Sequence, residues 1–114
     1  MGLAKSESKI KIGILGGTFD PAHKGHIAIS KLALKKFKLQ KVYWAITKKN
    51  PFKTKSSLSL KKRIIYAKKI NVNNKFIEIG FYENKIKSNK TFNLIKFFLK
   101  KNKKTKIYFI MGAD

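Results

Sequence analysis

Residues 16 to 26 read GGTFDPAHKGH and contain both of the chain's histidines, three of its seven glycines and one of its two prolines. Imidazoles three residues apart at the mouth of a helix can face one bound anion. The first N–H groups of that helix and its positive dipole end favour negative charge at the same place. Gly16 and Gly17 would let the backbone turn sharply and approach a ligand, because no Cβ stands in the way. Thr18 adds a hydroxyl and a backbone N–H, with Phe19 beside it, and Asp20-Pro21 reads as a turn ahead of the helix. Ala22 and Lys24 fill the two positions that this device leaves open. The chemistry indicated is a phosphate cradle with two imidazole donors. It is neither G-x-G-x-x-G nor the Walker G-x-x-x-x-G-K-[ST]. A resident metal centre is not expected, since two histidines without a nearby carboxylate or thiolate make a poor site.

Such a cradle needs a strand before it and a helix after it, and the flanking sequence provides both. KIKIGIL (9 to 15) is a short β-branched run that reads as a buried strand. From His26 to about Lys38, Ile27, Leu32, Leu34 and Phe37 recur at helical spacing. KVYWAIT (41 to 47) is a second strand, and KKNPFKTKSS is a loop marked by Asn50-Pro51. Ser59 caps a helix reaching about Ile70, with Leu60, Ile64, Ile65 and Ala67 inward. KFIEIGF (75 to 81) is a third strand, 82 to 90 a polar connection, 92 to 100 a third helix, and KIYFIMG (106 to 112) a fourth strand. The order predicts a Rossmann-like α/β fold, about four parallel strands alternating with three helices through right-handed crossovers. Ligands in such sheets sit beyond the carboxyl ends of the strands. Segments 16–26, 48–53 and 112–114 all fall there. Residues 1–8 read as a loose extension, leaving 9–114 as one nucleotide-binding domain.

The 114 residues are 43% hydrophobic, a globular composition. The absence of cysteine excludes a disulfide scaffold, a thiolate zinc site and a cysteine nucleophile, and fits a reducing compartment. MGLAKSES has no apolar core of a signal peptide, and no stretch approaches the roughly 18 apolar residues of a membrane span. A cytoplasmic protein without a membrane partner is expected. The net charge of +23 invites a nucleic-acid reading. Against it, Arg63 is the single arginine, whereas phosphate clamps and base readers favour the guanidinium fork. The lysines are also spread over every segment, so no specific nucleic-acid partner is expected.

GGTFDPAHKGH closely resembles the signature of the H-x-G-H nucleotidyltransferase superfamily, with His23-Lys24-Gly25-His26 supplying the tetrad. Within that superfamily it looks like the bacterial nicotinate-nucleotide adenylyltransferases. The likeness continues through VYWAITKKNPFK (42 to 53), Arg63, the region around Thr91 and MGAD (111 to 114). The resemblance implies adenylyl transfer from ATP, accompanied by Mg2+, to nicotinate mononucleotide, giving deamido-NAD and pyrophosphate. It implies that His26 donates to the α-phosphate in the transition state while His23 helps to hold the phosphates. It also implies nucleotide contacts from Gly16, Gly17, Thr18, Phe19, Gly112 and Asp114, and pyridine-nucleotide contacts from Lys53 and Thr91. The attacking group is already a phosphate anion, so catalysis reduces to positioning and charge stabilisation. Two departures stand out. Lys90 and Leu94 occupy places where the family often has a Tyr and a second Thr. Members of the family also continue well beyond the G-x-D, so the chain is expected to be the N-terminal part of a longer fold. A noncatalytic nucleotide-binding role and a basic nucleic-acid-associated role stay open beside the enzymatic one, and the oligomeric state is not set by the sequence.

Overall fold

The computed structural model describes residues 10–48, 58–87, 90–101 and 104–110. The elements in chain order are β1 (Ile10–Gly17), α1 (Lys24–Phe37), β2 (Lys41–Ile46), α2 (Leu60–Ile70), β3 (Ile77–Gly80), α3 (Glu83–Ile86), α4 (Thr91–Lys101) and β4 (Thr105–Ile110). The strands form one sheet in the order β3-β2-β1-β4. All three pairings are parallel. β1 therefore lies inside the sheet, which is why its run carries apolar side chains towards both faces.

The strand order dictates the layers. Passing from β1 to β2 to β3 moves in one direction across the sheet, so right-handed crossovers place α1 and α2 on the same face. The return from β3 to β4 reverses direction and puts α4 on the opposite face. Two apolar clusters record this division. Leu15, Phe19, Ala33, Trp44, Ile46 and Ala67 pack together beneath α1 and α2. Ile12, Ile14, Ala45, Tyr82 and Phe98 pack beneath α3 and α4. The winding reverses between β1 and β4, so the carboxyl ends of these two strands flank the crevice where such sheets bind ligands.

The α/β fold class, the four parallel strands and the Ser59 cap are as the sequence predicts. Ser59 accepts from the Lys62 N–H at 3.2 Å. Other expectations need correction. β1 runs on through Gly16 and Gly17, which pair with Ala45 and Ile46, so these glycines extend the strand and do not turn it. The polar connection of 82 to 90 contains the single-turn helix α3. Ile65, read as inward, is exposed, whereas Arg63 on the same helix is buried. Ala22 is also buried, so its position is closed to larger side chains. Residues 1–8, Lys53, Gly112 and Asp114 lie outside the described residues. Among the described residues, no helix is long and apolar enough to cross a membrane.

Candidate functional site

The loop from Thr18 to His23 joins the carboxyl end of β1 to α1, and its geometry is set by what it buries. Phe19 adopts a left-handed backbone with φ of 50°, and the peptide bond between Asp20 and Pro21 is cis. An aromatic residue accepts that φ at a cost on the order of 1 kcal/mol. Here it turns the Phe19 ring into the core, where it stacks on Trp44 with centroids 4.8 Å apart. The other neighbour of Phe19 is the imidazole of His26, at 4.5 Å. Asp20 Oδ1 accepts from the Leu58 N–H at 2.9 Å, fastening the loop to the approach of α2.

His23 is the N-cap of α1 and His26 its third residue, and the two form a reciprocal capping box. The Gly25 N–H donates to His23 Nδ1 at 3.0 Å, and the His23 N–H donates to His26 Nδ1 at 3.0 Å. With Nδ1 accepting, the proton of each neutral ring sits on Nε2, so both rings present an Nε2–H donor. Their centroids are 4.0 Å apart. His23 is exposed and His26 buried, so the pair spans the boundary between solvent and core. The predicted convergence of the two histidines at a helix mouth is present. The histidines themselves supply the cap, a role usually taken by Ser, Thr, Asp or Asn.

Gly16 and Gly17 line a cavity of about 250 Å³ on the opposite face, together with Thr47, Tyr82, Glu83, Thr91 and Phe109. Thr91, expected near the pyridine nucleotide, thus shares one cavity with the glycines. Lys90 and Leu94, the two departures from the family pattern, line it too. Glu83 Oε1 accepts from the Lys48 N–H at 3.2 Å and so ties α3 to the end of β2. Tyr82 forms part of the wall, and burial pushes its phenol well above the usual range, so it is a neutral hydroxyl at physiological pH.

Arg63 is a residue whose place the sequence did not disclose. Its guanidinium donates to the carbonyls of Leu58 (3.1 Å), Thr18 (2.8 Å), Thr47 (2.7 Å) and Lys48 (2.5 Å). The available signals were its being the only arginine in a chain rich in lysine and its place in the family likeness. Among the described residues, no group of three or more His, Cys, Asp or Glu could hold a metal ion.

This geometry can be set beside known proteins. The cytidylyltransferase-like family profile matches residues 14–114. A Pelagibacter ubique protein named as a nicotinate-nucleotide adenylyltransferase is 61% identical over 96% of this chain and 60% of its own length. One from Aliarcobacter butzleri with the same name is 40% identical over 92% of this chain and 58% of its own. Among solved structures, a Vibrio parahaemolyticus protein described as a nicotinate-nucleotide adenylyltransferase superposes with a TM-score of 0.73 at 18% identity, covering 92% of this chain and 62% of that one. The Plasmodium falciparum nicotinic acid mononucleotide adenylyltransferase complexed with NaAD gives 0.60 at 21% identity, over 88% and 50%. The chain thus spans about 60% of the length of the first of these relatives.

Proposed function

The chain belongs to the cytidylyltransferase-like family, and from that premise we propose that it transfers an adenylyl group from MgATP to nicotinate mononucleotide. The observation that carries the reading is the double histidine cap. Each Nδ1 is consumed by a backbone N–H, which orients both Nε2–H donors at a helix N-terminus beyond the carboxyl end of β1. That arrangement supports a phosphate site at the switch point of the sheet.

In the proposed reaction, a phosphate oxygen of the mononucleotide attacks the α-phosphorus of ATP. The bond from that phosphorus to the β-bridging oxygen breaks, and pyrophosphate leaves. His26 Nε2–H stabilises charge gathering on the α-phosphate, and His23 helps to hold the departing phosphates. Gly16, Gly17 and Thr18 border the nucleotide, with Phe19 acting from beneath through the His26 ring. The cavity bearing Thr91 receives the pyridine nucleotide from the other face, so Gly16 and Gly17 lie between donor and acceptor. Lys53, Gly112 and Asp114 complete the proposed contacts from segments outside the described residues. Mg2+ bound to the ATP substrate would neutralise charge on its phosphates. The names of the relatives support this substrate pair, and the reading carries with it a cytoplasmic location.

The test is incubation with MgATP and nicotinate mononucleotide while pyrophosphate is monitored, with His26→Ala as control. Release by the wild type, lowered about 100-fold or more in the variant, is the expected result. MgATP binding without release reduces the reading to nucleotide binding. Absence of binding to either nucleotide overturns it.

A further inference from the structure

We infer that Arg63 is a positioning residue that holds the phosphate loop in register with the end of β2, and so sets the place of the His26 imidazole without touching the nucleotide. Arg63 is only 4% exposed. Among the described residues, its hydrogen-bond partners are all carbonyl oxygens, drawn from three separate segments. The geometry is that of a planar fork with several parallel donors, which lysine cannot reproduce. Nη1 alone bridges Thr18 of the β1 loop and Thr47 at the end of β2.

The consequence for the site follows the chain. Fixing the Thr18 carbonyl fixes the peptide that leads into Phe19, whose left-handed backbone directs its ring inward. That ring is one wall of the slot holding His26, and Trp44 is another. On the opposite side, the Thr47 carbonyl held by Arg63 belongs to a residue lining the cavity. Asp20 and Glu83 complete the arrangement by accepting from the Leu58 and Lys48 N–H groups, the same two residues whose carbonyls Arg63 holds. One buried cation therefore governs both halves of the proposed active site.

The catalytic side of this inference rests on the adenylyl-transfer reading, and the structural side does not. Its test compares Arg63→Lys and Arg63→Met with the wild type by amide exchange and by MgATP affinity. Leu39→Ala, a buried core position just before the amino end of β2, serves as a general destabilisation control. Both Arg63 variants should speed exchange of the Thr47, Lys48 and Leu58 amides about 10-fold or more while the Ile12 and Ile14 amides stay protected. Both should weaken MgATP binding about 10-fold, and Leu39→Ala should not. Wild-type behaviour of Arg63→Lys would overturn the inference, because charge alone would then suffice. A loss of affinity shared with Leu39→Ala at equal loss of stability would also overturn it. If the wild type binds no MgATP, the adenylyl reading falls, and the exchange pattern still decides the role of Arg63. Should Arg63→Met not fold, nitrogen-15 NMR of the wild type decides. Separate, slowly exchanging Nη signals are expected, and one averaged signal overturns the clamp.

Discussion

Trp44 Nε1 donates to Ser30 Oγ across 2.8 Å, and that hydroxyl donates in turn to the His26 carbonyl at 2.8 Å. Both side chains are buried, so the chain of bonds pins the first turn of α1 to the centre of β2. The indole N–H has no water to turn to if the hydroxyl is lost. Ser30→Ala should therefore cost about 1–3 kcal/mol, the usual penalty for stranding a buried donor. Urea unfolding followed by the fluorescence of Trp44, the only tryptophan, measures it. A loss below about 0.5 kcal/mol would mean that the indole finds another acceptor.

Gly25 is required by a neighbouring side chain and not by its backbone. Its φ is not positive, so backbone freedom is not what it provides. A Cβ there would lie 2.8 Å from His23 Cε1 and 2.9 Å from its Nδ1, because the His23 ring folds over Gly25 to accept its N–H. Gly25→Ala should accordingly displace the cap and destabilise the wild type by roughly 1 kcal/mol, the worth of an N-cap. In a His23→Ala background the obstacle is gone. The same substitution should then stabilise, by up to about 1 kcal/mol of helix propensity. Thermal unfolding of the four members of this cycle checks the reversal of sign.

The parts of this molecule that the sequence disclosed are those governed by local pattern. The strand KIKIGIL, the Ser59 cap and the paired histidines are each specified within a few residues. Gly16 and Gly17 misled because a glycine pair ordinarily marks a turn, whereas here register with Ala45 and Ile46 carries the strand onward. Ile65, read as inward, is exposed while Arg63 is buried, for a related reason. The carbonyls that draw Arg63 inward come from segments up to 45 positions away. No periodicity within α2 reports them. The helix α3, only 4 residues long, falls below the length at which a helical period can be read.

Tyr82 gives a prediction on the alkaline side. Burial raises its folded-state pKa above the unfolded value near 10.0, so above that pH the unfolded chain releases a proton that the folded chain retains. The folded state then binds more protons, and stability falls as pH rises beyond about 10. Below that range the phenol is neutral in both states and the effect vanishes. Tyr82→Phe should flatten the decline in stability between about pH 10 and 11 and leave the slope near pH 7 unchanged. Urea midpoints across this range test it. An identical alkaline slope in the variant would assign the decline to other groups.

Gly16 separates fold from function most directly. A Cβ at this position would stand 3.5 Å from Phe109 Cζ and 4.0 Å from the Ala45 carbonyl, both ordinary contacts. The strand therefore accepts Gly16→Ala, and stability should change by no more than about 0.5 kcal/mol. The added methyl nevertheless enters the wall that Gly16 and Phe109 share in the cavity holding Thr91. If that cavity receives the pyridine nucleotide, the methyl occupies space that the ligand needs. Affinity for nicotinate mononucleotide should then fall about 10-fold, while affinity for MgATP changes much less. Calorimetric titration with each nucleotide distinguishes the outcomes. Equal losses for both would mean that the cavity is shared. An unchanged mononucleotide affinity beside a destabilised fold would assign Gly16 to strand packing alone.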